Sequence, residues 1–157
     1  MTDDWKRFYW AILAGGMGAG VADIVSAIAG NKSTDPIASV LQYIASAAIG
    51  PVAFTGGSLT TIAGLAVHLT LTTIMAALFV LAARRWRVLL HDIWLPGLVY
   101  GAAIFFAMFY VIVPHTLAQG WKTPSGFWPI LRGAMSHGFF VGLPITSAAR
   151  HFLGRGT

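Results

Sequence analysis

The sequence predicts an all-α integral membrane protein: a four-transmembrane-helix bundle with a short extra helix between helices 1 and 2. Three observations predict this fold. The 157-residue chain is 57% hydrophobic and only 10% charged, with a mean hydropathy of +0.73, whereas a soluble domain carries about 25% charged residues. Four apolar runs reach or exceed the ~20 residues that a helix needs to cross a bilayer. Basic residues stand in short groups between these runs, as in membrane proteins.

The four runs lie within a single membrane domain of residues 1–157. They cover residues 8–29, 58–83, 93–113 and 127–149. The first run follows Lys6 and Arg7, as the apolar part of a signal peptide would. It is longer than the 7–15 residues of a signal core, so we expect a retained first helix.

A shorter apolar segment covers residues 36–49. Asp35 and Pro36 are typical of a helix start, because an aspartate caps free N–H groups and proline suits the first turn. Gly50 and Pro51 end the segment. Because it is too short to span a bilayer, we predict a helix that lies at the membrane interface or against the bundle.

The basic residues predict the orientation, because cytoplasmic loops carry an excess of lysine and arginine. With the N-terminus inside, the cytoplasmic set is Lys6, Arg7, Arg84, Arg85, Arg87, Arg150 and Arg155. The opposite side holds Lys32, Lys122 and Arg132. We therefore expect a multi-pass protein of the bacterial inner membrane with both termini cytoplasmic.

Composition and motifs exclude several classes of function. The net charge of +5 could indicate nucleic-acid binding, but grouping of the basic residues between apolar runs argues against it. The chain has no cysteine, which excludes disulfides and thiolate chemistry. It contains no nucleophile elbow, Walker loop or HExxH motif, so we predict no catalytic residues and no enzyme activity.

Two pairs of glycines have the spacing of close helix contacts. Gly16 and Gly20 lie in the first helix, and Gly97 and Gly101 lie in the third. Small residues four apart let the backbones of two membrane helices approach. We interpret all four as packing positions and not as a nucleotide loop, because no strand precedes the glycine-rich stretch.

Three ionisable residues form the candidate intramembrane polar site: Asp23, His68 and His137. An aspartate at the centre of a spanning helix costs about 2.5–3.5 kcal/mol, so it usually faces the bundle interior. His68 and His137 each lie about ten residues from the outer end of a helix, roughly 15 Å deep, and Asp23 lies at roughly 10 Å. Three different helices thus place an acid and two imidazoles at similar depth.

Four interpretations of this trio remain open. The two histidines could ligate a haem b iron axially, or all three residues could hold a divalent metal. The groups could relay protons or bind a substrate, as in transporters. Alternatively, each histidine bonds a backbone carbonyl or Asp23 and ties two helices together. No cofactor is predicted, and haem and metal stay alternatives.

Four short motifs resemble those of a family of uncharacterised, hypothetical small four-helix bacterial inner-membrane proteins. They are Ala22-Asp23-Ile24, Gly64-Leu65-Ala66-Val67-His68, Tyr110-Val111-Ile112-Val113-Pro114 and His137-Gly138-Phe139-Phe140-Val141-Gly142-Leu143-Pro144. The resemblance covers most of the chain and implies no particular function. It marks Asp23, His68, His137 and Pro144 as the positions to test first.

The small size, the short loops and the glycine-rich helix faces favour a non-enzymatic packing or accessory subunit of a membrane assembly. Its expected partners are the lipid bilayer and either further copies of the chain or a larger membrane complex. A small transporter or proton-handling protein, and a haem or metal carrier, are the two alternative functions.

Overall fold

The computed structural model describes residues 3–118, 120 and 122–154, and in these residues every regular element is helical. The α-helices are α1 (Asp3–Gly30), α2 (Pro36–Ile49), α3 (Gly57–Arg85), α4 (Trp94–Phe106), α5 (Phe127–His137) and α6 (Leu143–Leu153). Short 3-10 helices cover Gly50–Phe54, Arg87–Leu90 and Val113–His115, and π-helical turns cover Ala107–Ile112 and Gly138–Gly142. The predicted all-α class is therefore confirmed.

Four helical stretches run the length of the bundle in alternating directions. The first two are α1 and α3, which pack side by side with Gly16 against Thr73 and Gly20 against Thr72. The third is α4 with its π-helical and 3-10 continuation. The fourth is α5 and α6 joined by a π-helical turn, and it packs antiparallel to α4, since Gly97 meets Thr146 whereas Gly133 meets Phe105.

Both described ends of the chain lie at one end of this bundle. The Arg84 guanidinium lies over the rings of Trp5 and Phe8, at 5.6 and 5.0 Å from their centroids. Arg87 Nη2 donates to the Leu153 carbonyl at 3.0 Å. The start of α1 and the ends of α3 and α6 therefore meet at what we call the basic end, which carries Arg84, Arg85, Arg87 and Arg150. Arg155, assigned from the sequence to the same side, lies outside the described residues.

Among the described residues, four helices are long and apolar enough to cross a membrane, which indicates a membrane protein. They are Asp3–Gly30, Pro36–Phe54, Gly57–Arg85 and Trp94–His115. This set differs from the four predicted runs, because it includes Pro36–Phe54 and omits the helix at 127–149. The 3-10 turn after α2 extends that segment to 19 residues. The omitted helix contains Arg132 and His137, which lower its hydropathy.

The path of the chain shows that Pro36–Phe54 and the helix at 127–149 differ in whether they run the length of the bundle. Because α1 and α3 are antiparallel neighbours, the end of α1 and the start of α3 lie at the same end of the bundle. The segment Pro36–Phe54 connects them and so does not run the length of the bundle. The stretch from α5 to α6 does, since it returns along α4 to the basic end.

Helix α2 has the bounds that the sequence predicts, and its start explains them. The Ala38 N–H donates to Asp35 Oδ1 at 3.0 Å, which caps the helix, and Pro36 occupies the first turn. Leu41, Ala45 and Ser46 form its buried face. That face packs against α3, where the Leu41 carbonyl abuts Gly64. The helix thus lies against the bundle, which was one of the two predicted placements.

Each π-helical turn lies just before a proline. The Val113 N–H donates to the Met108 carbonyl ahead of Pro114, and the Leu143 N–H donates to the Gly138 carbonyl ahead of Pro144. Proline lacks an N–H, and its ring collides with the carbonyl four residues earlier in a regular α-helix. The wider π turn accommodates both effects without breaking the helix.

Candidate functional site

Asp23 on α1 and His68 on α3 meet inside the bundle. His68 Nε2 lies 3.0 Å from the Gly20 carbonyl oxygen and 3.8 Å from Asp23 Oδ2. A carbonyl only accepts hydrogen bonds, so Nε2 carries a proton and donates to Gly20. The distance to Asp23 fits an ion-pair contact and is longer than a direct hydrogen bond. The two side chains are only 12% and 19% exposed.

Small and hydroxyl-bearing residues build the surroundings of this pair. Gly20 has no side chain, so it allows Leu69 and Thr72 of α3 to approach α1 closely. The Thr72 hydroxyl donates to the carbonyls of His68 and Leu69 within its own helix. Thr73 bonds the Leu69 carbonyl in the same way, at 2.7 Å. The hydroxyl groups of Thr72 and Thr73 are thus satisfied by the backbone of α3 itself.

His137 lies in a different part of the bundle. Its Nδ1 donates to the Gly133 carbonyl of its own helix at 3.1 Å. Its ring packs against Phe105 and Phe109 of the neighbouring helical stretch, with centroids 5.5 and 5.3 Å away. The imidazole is therefore held by an aromatic contact and a local backbone bond.

The structure brings together two of the three predicted site residues, Asp23 and His68, and places His137 among other partners. Within residues 3–118, 120 and 122–154, no group of three or more His, Cys, Asp or Glu side chains is arranged to hold a metal ion. Axial ligation of one haem would need both imidazoles to face a common iron. The contacts of His68 and His137 direct them instead to separate helix interfaces.

The four predicted packing glycines all lie at contacts between helices. A Cβ added to Gly16 would lie 2.5 Å from Thr73 Cα, and one added to Gly97 would lie 2.8 Å from Thr146 Oγ1. Gly20 faces α3, and Gly101 faces the backbone of His137 and Gly138. In contrast, Ala14 and Gly18 of α1 are exposed. The atom nearest to a Cβ added at Gly18 is Pro144 Cβ, at 4.0 Å.

Neither of two cavities in the structure is lined by the predicted trio. One is a groove of about 300 Å³ on the outer surface of α1 and α3, lined by Met17, Leu69, Thr70, Thr73 and Ile74. The other has a volume of about 800 Å³ and lies at the basic end, where Arg87, His91, Arg150 and His151 contribute to its wall. From the sequence, these arginines predict the orientation alone, and no role is predicted for these histidines. The available signal was that all four residues lie just beyond the ends of the apolar runs at 58–83 and 127–149.

Comparisons of the chain with models of known families, with curated proteins and with solved structures find no match. The resemblance to small inner-membrane proteins therefore stays an expectation. Inferences about function rest on the chain's own residues and their contacts.

Proposed function

We propose that the protein is a non-enzymatic subunit of a membrane assembly that packs in the bilayer against a second copy of itself. The observation that carries this proposal is how the two partly buried histidines contact neighbouring helices. His68 donates to the Gly20 carbonyl of α1, and the His137 ring packs against Phe105 and Phe109. Neither histidine lines the cavity at the basic end or the groove on α1 and α3. Such contacts between helices hold the helices in place, which is the role of a structural component.

The proposed membrane placement follows the positions of the arginines. The basic end faces the cytoplasm, because cytoplasmic segments are enriched in lysine and arginine. Four helical stretches then span the bacterial inner membrane, and α2 with its 3-10 turn packs on the outer half of the bundle. Both termini are cytoplasmic in this arrangement.

The outer face of α1 is the proposed contact with the second copy. We define this α1 face by its exposed residues Ala14, Met17, Gly18, Val21 and Val25. Ala14 and Gly18 are four residues apart, a spacing that lets a second helix approach closely. The face carries no charged side chain, so two copies can pair across a two-fold axis without burying unpaired charge.

The mass of the protein in lipid nanodiscs tests this proposal. We expect the wild type to be a dimer and Gly18→Leu to shift it towards a monomer, because a leucine side chain keeps the two α1 helices apart. Gly18 is exposed, and a Cβ added there makes only an ordinary contact with Pro144 Cβ at 4.0 Å, so we expect the fold to accept the substitution. Val99→Leu is the matched control, because Val99 is 60% exposed on α4. A monomeric wild type, or a Gly18→Leu dimer as stable as the wild type, would contradict the proposal.

The Asp23–His68 contact favours a second candidate function, a small proton-handling or transport protein. An ionisable pair within apolar helices is a feature of proton relays. The candidate predicts that Asp23→Asn abolishes proton movement into proteoliposomes that contain a pH-sensitive dye, without loss of folded protein. Thr70→Val is the control, since its hydroxyl bonds the Ala66 carbonyl of its own helix. Equal proton movement in wild type, both variants and empty liposomes would remove this candidate.

A further inference from the structure

The cavity at the basic end combines cationic and apolar surfaces. It lies between the 3-10 turn Arg87–Leu90 and α6. Its polar wall is formed by Arg87, His91, Ser147, Arg150 and His151, and its apolar wall includes Leu90 and Ile93. With a volume of about 800 Å³, it falls within the 300–1,000 Å³ typical of ligand sites.

Arg87 is held in place at this cavity. Its Nη2 donates to the Leu153 carbonyl at 3.0 Å, which satisfies one of the free carbonyls at the end of α6. A guanidinium has five N–H donors in a planar fork. The bond to Leu153 therefore orients the group and leaves donors for a ligand.

Positive charge predominates around the cavity. Arg87 and Arg150 are always protonated, and His91 and His151 each have an N–H donor in either protonation state. Asp92 is the one acidic residue in the sequence after Asp35. Its Oδ2 accepts the Leu95 N–H at 2.9 Å, and so the carboxylate caps the start of α4.

We propose that this cavity binds the phosphate group of an anionic phospholipid headgroup. Guanidinium groups recognise phosphate through paired N–H bonds, and Ser147 adds a hydroxyl donor. Leu90 and Ile93 supply an apolar surface for the glycerol and upper acyl region. Trp86 and Trp94, on either side of this turn, are 58% and 55% exposed, as expected where headgroups meet apolar helices. Basic pockets between membrane helices bind such headgroups.

Lipid-dependent thermal stability and native mass spectrometry of the purified full chain test the proposal. The probes are phosphatidylglycerol, phosphatidylcholine and inorganic phosphate. Arg150→Gln removes the positive charge of an exposed wall residue, which also interacts electrostatically with Asp92. Arg85→Gln is the matched control, because it removes the same charge from the basic end without lining the cavity. Neither experiment depends on the oligomeric state of the protein.

We expect phosphatidylglycerol to remain bound to the wild type and to Arg85→Gln and to raise their melting temperatures more than phosphatidylcholine does. Arg150→Gln should bind phosphatidylglycerol about tenfold more weakly, as expected for the loss of one charge-assisted bond. Equally weakened phosphatidylglycerol binding in both variants would contradict a specific site, because the overall charge of the basic end would then explain the binding. If inorganic phosphate raised the melting temperature and phosphatidylglycerol did not, the cavity would be a phosphate site, and the proposal that its ligand is a lipid would be wrong.

Discussion

His68 Nε2 lies 3.8 Å from Asp23 Oδ2 and donates to the Gly20 carbonyl at 3.0 Å, so one imidazole joins α3 to two positions of α1. The helices α1 and α3 are antiparallel neighbours, and this contact fixes the position of one relative to the other. Its two partners differ in kind, since one is a fixed backbone carbonyl and the other an ionisable carboxylate. The structural role and the proton-handling role therefore make different predictions for the two residues.

His68→Ala should lower the free energy of unfolding by about 0.5–2 kcal/mol, because it removes the hydrogen bond that Nε2 donates from α3 to the Gly20 carbonyl of α1 in an apolar environment. Asp23→Ala should couple to it by about 0.5–2 kcal/mol in a double-mutant cycle. Reversible unfolding in mixed micelles measures both quantities. Thr70→Val is the control, and a His68→Ala variant no less stable than this control would exclude the proposed tie between α1 and α3.

Gly64→Ala should be strongly destabilising, because its new methyl group would collide with the Leu41 carbonyl of α2. The backbones must separate to accommodate it, at a cost of about 1–3 kcal/mol. Gly30→Ala is the matched substitution in open space, since no atom lies within 4 Å of a Cβ added there, and it should be neutral or stabilising by up to about 1 kcal/mol, as for glycine replacement within a helix. The melting temperatures of the two variants measure this contrast. Similar values for both would show that α2 does not pack against α3 as described.

The carboxylate of Asp92, between α3 and α4, should make stability depend on pH. The backbone N–H groups of Leu95 and Trp94 hold the pKa of Asp92 below its ordinary value. A lowered pKa means that the ionised form favours folding. This contribution is complete above the pKa of the unfolded chain and is lost as the pH falls through the lower folded pKa.

Asp92→Ala should therefore melt below the wild type at pH 6, and the difference should shrink below pH about 4. Melting curves of both proteins between pH 6 and pH 3 measure the effect. Asp4→Ala, which removes an exposed carboxylate from the first turn of α1, is the control. A difference between wild type and Asp92→Ala that stays constant across this range would contradict the assigned cap.

Hydropathy and turn residues predicted most of the helix bounds. The runs at 8–29 and 58–83 lie inside α1 and α3, and the run at 93–113 matches α4 with its continuation to within two residues. The predicted bounds of α2 equal those observed, because Asp35-Pro36 and Gly50-Pro51 are strong local signals. The π-helical turns ahead of Pro114 and Pro144 were not predicted from the sequence.

Helix rotation could not be predicted from the sequence, and the candidate site depended on it. Depth along a helix follows from residue spacing, and it placed Asp23, His68 and His137 at one level. Which neighbour a side chain faces is decided by packing over the whole bundle. Phe105 and Phe109 surround His137, and their positions relative to it follow from the antiparallel packing of α4 with α5. The cavity beside Arg87 likewise depends on how the ends of α3 and α6 meet.

Disulfide crosslinking in native membranes tests the central claim, assembly through the α1 face, most directly. The chain has no cysteine, so Ala14→Cys introduces a single thiol into this face, and Val99→Cys introduces one on α4 as a control. Across a two-fold axis, the thiol introduced into the α1 face of one copy lies near the same thiol of the second copy. We predict that a mild oxidant converts Ala14→Cys to a disulfide-linked dimer and leaves Val99→Cys monomeric. A monomeric Ala14→Cys, or equal crosslinking of both variants, would contradict the proposed assembly.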